Sequence, residues 1–230
     1  TKPPEGLELT YPGGTPVNYL PSGWIFSGEP FTLQAAAGDE TAGIREIRFV
    51  VTGEDGTETV RTHTFTPVQR KGAELSLPLE GSDFKGTVRT EICDWAGNRL
   101  VQERNAGVES QKRHETTMAA QLETVTRPSR TVDGVDYYNT DVVFRVNLRD
   151  EFSGLREVSY SGGRTLSGGR DYAKEAGSGL EAVPEKELTY EFSQQFTLEA
   201  AANHGNAVPV RVSFTDNAGH TESLEERYHI

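Results

Sequence analysis

Phe31, Leu33, Ala35 and Ala37 alternate with Thr32, Gln34 and Ala36, a period of two that puts one set of side chains on a single face of an extended strand. The same alternation runs through Val142, Phe144, Val146 and Leu148, and through Val210, Val212 and Phe214, which Arg211 and Ser213 separate. Val88, Thr90 and Ile92 repeat it once more. Ile47–Val51 and Thr57–Phe65 flank Glu54-Asp55-Gly56, and Asp-Gly tolerates the positive φ of a hairpin turn, so this stretch predicts two paired strands. The 24 glycines and 11 prolines recur at short intervals and leave little room for long helices. Leu198–His204, ahead of Gly205, is the exception and reads as a short helical turn or a plain crossover between strands.

The pattern is written twice. Gly43-Ile44-Arg45-Glu46-Ile47-Arg48-Phe49 returns 111 residues later as Gly154-Leu155-Arg156-Glu157-Val158-Ser159-Tyr160, and Asp39 returns as Asp150. Asp94-Trp95-Ala96-Gly97-Asn98 returns 122 residues later as Asp216-Asn217-Ala218-Gly219-His220. The second copy therefore carries additional residues between these anchors, and the Gly-rich stretch Ser161–Gly179 is read as the loop that holds them. Residues 1–105 form the first expected domain and residues 116–230 the second; the polar segment Ala106–Glu115 shows no strand pattern and reads as a linker. About seven short, turn-punctuated strands per copy indicate an all-β chain of two tandem antiparallel β-sandwiches.

Asn139-Thr140-Asp141-Val142-Val143-Phe144-Arg145-Val146, then Asp150-x-x-Ser153-Gly154-Leu155-x-x-Val158, then Asp216-Asn217-Ala218-Gly219 resembles the bacterial immunoglobulin-like domain. The first copy matches at Asp39-x-x-Ala42-Gly43-Ile44-x-x-Ile47 and at Asp94-Trp95-Ala96-Gly97-Asn98, so the resemblance covers nearly the whole chain. Neither copy has the paired cysteines of antibody domains; Cys93 aligns with Thr215. The resemblance implies tandem Ig-like sandwiches of a large bacterial protein that is secreted or attached to the cell surface or cell wall, in spacer, adhesin-stalk or enzyme-appendage roles.

Composition narrows the partners. A net charge of −12 argues against nucleic acid, whose phosphates need a basic footprint, and against anionic lipid surfaces. A mean hydropathy of −0.57 and the lack of an apolar run near 18 residues argue against a membrane span in this segment. One cysteine makes no internal disulfide. The only methionine is Met118, so the chain reads as a piece of a longer protein, whose neighbouring domains are its first expected partners. A host protein or glycan is the other candidate partner.

Asp39, Glu40 and Asp94 in the first copy, and Asp150, Glu151 and Asp216 in the second, are the candidate metal ligands. In a sandwich the loops that carry them share one end, so each set converges where calcium, a cation taking six to eight oxygens, finds carboxylates from two loops. The second set is expected to face the linker. The competing reading makes these aspartates turn formers that accept backbone N–H bonds. His63, His114, His204, His220 and His229 show no pair at zinc-ligand spacing, and His114-Glu115 lacks the second histidine of a helical zinc motif. Ser167 and Ser178 lie among glycines outside any nucleophile elbow. Lys85 and Asn98 are weighed as an isopeptide pair, for which no buried acid is evident.

Trp24, Tyr19 and Phe26, and likewise Tyr137, Tyr138 and Tyr172, are candidate sugar-stacking platforms, and Trp95 stands at a turn tip. Trp95, Trp24 and Tyr138 are the chosen ligand-binding candidates. No catalytic set and no cofactor site beyond calcium emerges. The expected function is a non-catalytic spacer, stalk or presentation module; the alternative is an adhesin or carbohydrate-binding appendage using the aromatic turns and the inserted loop.

Overall fold

The alternating residues Phe31, Leu33, Ala35 and Ala37 line one face of a strand and are all buried, while Gln34 between them is exposed. A computed structural model describes residues 3–17, 23–79, 83–172 and 188–230. It divides into unit 1, Thr1–Ser110, and unit 2, Gln111–Ile230.

Unit 1 runs β1 (Glu5–Thr10), β2 (Thr15–Val17), β3 (Trp24–Ser27), β4 (Phe31–Gly38), β5 (Ile44–Gly53), β6 (Glu58–Gln69), β7 (Ala73–Leu79), β8 (Phe84–Asp94) and β9 (Arg99–Val108). Unit 2 opens with helix α1 (Gln111–Thr117). It continues through β10 (Met118–Thr124), β11 (Arg130–Val132), β12 (Val135–Tyr137), β13 (Val142–Asp150), β14 (Leu155–Gly162) and β15 (Leu166–Asp171). Then come β16 (Glu191–Leu198), the short α2 (Ala200–Asn203), β17 (Ala207–Asp216) and β18 (Thr221–His229).

The sheets repeat in order. Unit 1 has β1-β4-β7 and β2-β3-β9-β8-β5-β6; unit 2 has β10-β13-β16 and β11-β12-β18-β17-β14-β15. Even an irregularity is copied: the β5–β8 ladder slips between Ile44 and Glu46, and the β14–β17 ladder slips between Leu155 and Glu157. Each unit closes its own core between its two sheets. In unit 1, Leu33 and Leu75 meet Ile47, Phe49, Val88 and Ile92; in unit 2, Phe144 and Phe196 meet Val158, Val212, Phe214 and Tyr228. Each such side chain contributes about 1.5–3 kcal/mol relative to leaving it in water.

Two expectations are corrected here. Ala106–Val108 are not linker but the end of β9, pairing in parallel with Ile25–Ser27, and Ala106 and Val108 are core residues. Gln111–Thr117 then form a helix, so the division between units falls inside the segment read as polar linker. The Gly-rich stretch is also not all loop. Gly162 ends β14, and Gly168 and Gly169 lie in β15 opposite Tyr160 and Ser159. A Cβ on Gly168 would come 2.6 Å from the Tyr160 hydroxyl, so the tyrosine ring occupies the space that the glycine leaves. Residues 173–179 of that stretch, with Ser178, lie outside the described residues. Of the two readings of Leu198–His204, crossover or short helical turn, the structure has the helical turn, as α2, and the Glu54-Asp55-Gly56 turn joins β5 to β6, with Gly53 N–H bonded to Thr57 O at 2.9 Å.

Candidate functional site

The Asp-x-Ala-Gly segments close the hairpins β8–β9 and β17–β18. Gly97 and Gly219 sit at φ +88° and +100°, where any Cβ is strained, and the leading aspartate ties the turn together. Asp94 Oδ1 accepts the Asn98 N–H at 2.7 Å and its Oδ2 accepts Asn98 Nδ2 at 2.6 Å. Asp216 Oδ1 accepts the N–H groups of Gly219 and His220 at 2.7 and 2.8 Å. Both aspartates are fully buried.

The loops after β4 and β13 lie beside these turns. Trp95 donates its N–H to Gly43 O at 3.0 Å, and Asn217 donates to Gly154 O at 2.9 Å. Asp39 Oδ1 accepts from Thr41 and Ala42 at 2.8 and 2.9 Å, and these bonds, the Ala42 one foremost, hold its carboxyl below the usual carboxylate range. Asp150 Oδ1 accepts from Phe152 at 2.8 Å and its Oδ2 takes the Ser153 hydroxyl at 3.1 Å. Burial nevertheless pushes the Asp150 carboxyl up, and the nearby Asp216 charge adds to that. Glu40 is ion-paired with Lys71 at 2.8 Å and Glu151 with Arg149 at 2.9 Å, both on exposed side chains. The expected convergence of loops is thus present in each unit, and the four aspartates all make the backbone bonds of turn formers.

At this end of unit 2 the structure adds a group of side chains that the sequence spacing does not reveal. Helix α1 packs over it: Thr117 O accepts the Glu151 N–H at 3.3 Å, and the Arg113 guanidinium stands 5.3 Å from the Phe152 ring centre. The helix brings His114, fully buried, to Asp216, whose Oδ2 lies 2.9 Å from His114 Nδ1 and 2.8 Å from His220 Nδ1. The two imidazoles stack with centroids 4.6 Å apart at 27°. His114 Nε2 lies 3.1 Å from Glu222 Oε1. No zinc-ligand spacing announces this pair: 106 residues of chain separate His114 and His220, and only the fold joins them. Of the others, His63 lies edge-on to Phe65 and His229 lies against Tyr137.

The aromatic candidates scatter. Tyr138 is buried at 8% exposure and packs edge-on against Tyr228, so it offers no ring face to a sugar; this corrects its place among the ligand-binding candidates. Tyr172 is similarly buried, and Tyr19 lies outside the described residues. Trp24 is half-buried, stacks on Phe26 at 5.0 Å and carries the Lys85 ammonium 5.5 Å from its ring centre. Trp95 is 44% exposed. Lys85 begins β8 and Trp95 follows its end, so the two tryptophans stand roughly 30 Å apart along that strand and share no platform. The same separation divides Lys85 from Asn98 and removes the isopeptide pairing. A depression of about 670 Å³ in unit 1 is lined by Glu5, Gly38, Asp39, Glu40, Arg70 and Lys71 among others. Among the described residues, no helix is long and apolar enough to cross a membrane.

No family model matches the chain, and no curated protein does. Among solved structures, the chain is similar to the crystal structure of a tetra-tandem repeat in the extending region of a large adhesion protein, at 15% identity and a TM-score of 0.35. That likeness covers 97% of this chain and 49% of the other, so the chain spans about half the length of the crystallised repeat chain it matches.

Proposed function

We propose that the chain is a non-catalytic tandem of Ig-like β-sandwiches that spaces or presents other parts of a larger bacterial surface or secreted protein. The observation that carries this reading is the duplication in three dimensions: the same nine-strand order, the same ladder slip and a separate core in each unit. A module that closes its own core can be strung in series with others without changing how it folds. The strand order supports the Ig-like reading, because it sets a three-stranded sheet against one whose central pair is the last two strands of the unit. The net charge of −12 suits a solvated extracellular segment and disfavours polyanionic partners. Asp150 and Asp216, the buried neighbouring carboxylates, are both fully shielded from solvent and thus unsuited to acid–base work on a substrate.

Stretching the full chain between two handles in a force spectrometer tests the proposal. Two separate unfolding events are expected, each releasing somewhat less than the roughly 360–400 Å contour of about 110 residues. Extension without discrete events overturns it. One specific observation favours a second reading, the exposed ring of Trp95 at a turn tip. A glycan or host protein retained by the chain and released by Trp95→Ala replaces the spacer with a binding appendage.

A further inference from the structure

We infer that His114, Asp216 and His220 form a binding site for one divalent transition-metal ion of the zinc class. The three ligand atoms lie within 4.8 Å of one another, and they come from α1 and from the β17–β18 turn within unit 2. The site does not depend on the spacer reading.

The tautomer of His114 carries the argument. Its Nε2 faces Glu222 Oε1 at 3.1 Å, and a carboxylate oxygen only accepts, so the hydrogen of neutral His114 resides on Nε2. The lone pair is then on Nδ1. That atom is fully buried, and its 2.9 Å approach to Asp216 Oδ2 is out of line for a hydrogen bond, leaving it without a hydrogen-bond partner. A buried imidazole lone pair without a partner, 2.9 Å from a carboxylate oxygen, is satisfied by a cation that binds both atoms. His220 Nδ1 donates to the same carboxylate oxygen at 2.8 Å, and it becomes the third ligand atom once its hydrogen moves to Nε2 and an ion takes that hydrogen's place. Ligands bound to zinc at 2.0–2.2 Å in a tetrahedron stand roughly 3.3 Å apart, so each nitrogen needs to retreat from Asp216 Oδ2 by only a few tenths of an ångström.

The donor set selects the metal class. Two imidazole nitrogens and one carboxylate oxygen suit zinc, cobalt or nickel, whereas calcium and magnesium take oxygen shells. The supports are in place too. Asp216 Oδ1 is anchored by the Gly219 and His220 N–H groups, and Glu222 orients His114 as outer carboxylates orient metal-bound histidines. Unit 1 lacks the set: Asn98 stands where unit 2 has His220, Leu100 where it has Glu222, and Asn98 Nδ2 bonds to Asp94 Oδ2 instead. The site departs from the repeat at both positions, and the repeat shows that asparagine fits the turn.

The test uses the full chain stripped with chelator, titrated calorimetrically with Zn²⁺ and spectroscopically with Co²⁺. One equivalent of Zn²⁺ per chain is expected, with the intense visible bands of four-coordinate Co²⁺. A rise in melting temperature of several degrees is expected at about 100 times the dissociation constant. His220→Asn, which copies the unit 1 turn, abolishes the stoichiometric binding while near-ultraviolet circular dichroism stays native. Glu222→Gln, changed on a 41% exposed side chain, weakens binding about 10–100-fold. No binding to the wild-type chain, or binding unchanged by both substitutions, overturns the inference.

Discussion

Trp95 and Asn217 occupy the same position in the two units, and each donates its backbone N–H to the glycine carbonyl that opens the neighbouring loop, Gly43 O at 3.0 Å and Gly154 O at 2.9 Å. Their side chains differ in what they add. Asn217 is 1% exposed and its Nδ2 bonds to Ser153 O and Gly154 O at 2.9 and 3.1 Å, clamping loop to turn, while the indole of Trp95 is 44% exposed. Removing the clamp takes the donor from Ser153 O, while Gly154 O keeps the backbone bond, so Asn217→Ala is expected to cost unit 2 about 1–3 kcal/mol. Trp95→Ala is expected to cost unit 1 less than about 1 kcal/mol, since the backbone bond survives. Urea unfolding of the two variants, followed by a probe in each unit, measures both.

Asp39 and Asp150 are counterparts whose carboxyls shift in opposite directions. Loop N–H groups hold the Asp39 value down, so its stabilising contribution is full above the unfolded value, about 4, and is lost as pH falls through the lowered folded value. Burial raises the Asp150 value, so its contribution is full below the unfolded value and is lost as pH rises through the raised folded one. With chelator present, Asp39→Asn is expected to be less stable than wild type at neutral pH, with the gap closing in acid. Asp150→Asn keeps an acceptor for the Phe152 N–H and gains on wild type as pH rises. Urea midpoints across about pH 3 to 7 read both slopes.

Gly86 lies opposite Gly53 where β8 meets β5, and a Cβ built on it would stand 2.1 Å from Thr52 O. That neighbour is backbone and can yield only if the strands part. Gly86→Ala is therefore expected to destabilise unit 1 by about 1–3 kcal/mol, the range for overpacking a filled site. An unchanged urea midpoint would contradict the close approach.

Tyr228 is 2% exposed, its hydroxyl lies 2.9 Å from Thr124 Oγ1, and burial pushes its pKa up to about 12. An ordinary tyrosine ionises near 10, so the contribution of Tyr228 is full below about 10 and is lost as pH rises through the folded value. Tyr228→Phe is expected to cost about 1 kcal/mol at neutral pH through the lost hydrogen bond. It should also flatten the alkaline fall in stability, which thermal melts and tyrosinate absorbance together record.

The readable parts of the chain are those whose partners are local or whose pattern repeats. β4, β13 and β17 alternate because one face meets a core, and the two Asp-x-Ala-Gly turns announce themselves through short-range bonds and a left-handed glycine. What escaped depends on distant chain. Ala106–Val108 become strand by pairing with β3 some 80 residues earlier. Gly168 and Gly169 have poor strand propensity and are held by the β14 ladder and the Tyr160 ring. The seven residues of α1 are polar but for what they bury, a single histidine, so they show no helical stripe. Tyr138 looks like a surface ring until Tyr228, 90 residues on, covers it. The paired carboxylate loops were legible; the histidines that join Asp216 were not, since no spacing encodes a contact between α1 and the last turn.

The glycine at position 86 also bears on how neighbouring copies avoid exchanging strands. A chain that repeats its own topology presents β5 with two suitors while it folds, β8 and its counterpart β17, and such misassembly is a known hazard of repeat proteins. Val208 stands in β17 where Gly86 stands in β8. In a swapped ladder its branched side chain would be driven against Thr52 O, where even a methyl group does not fit. The same tight spot that constrains unit 1 thus lets β5 tell its own partner from its neighbour's.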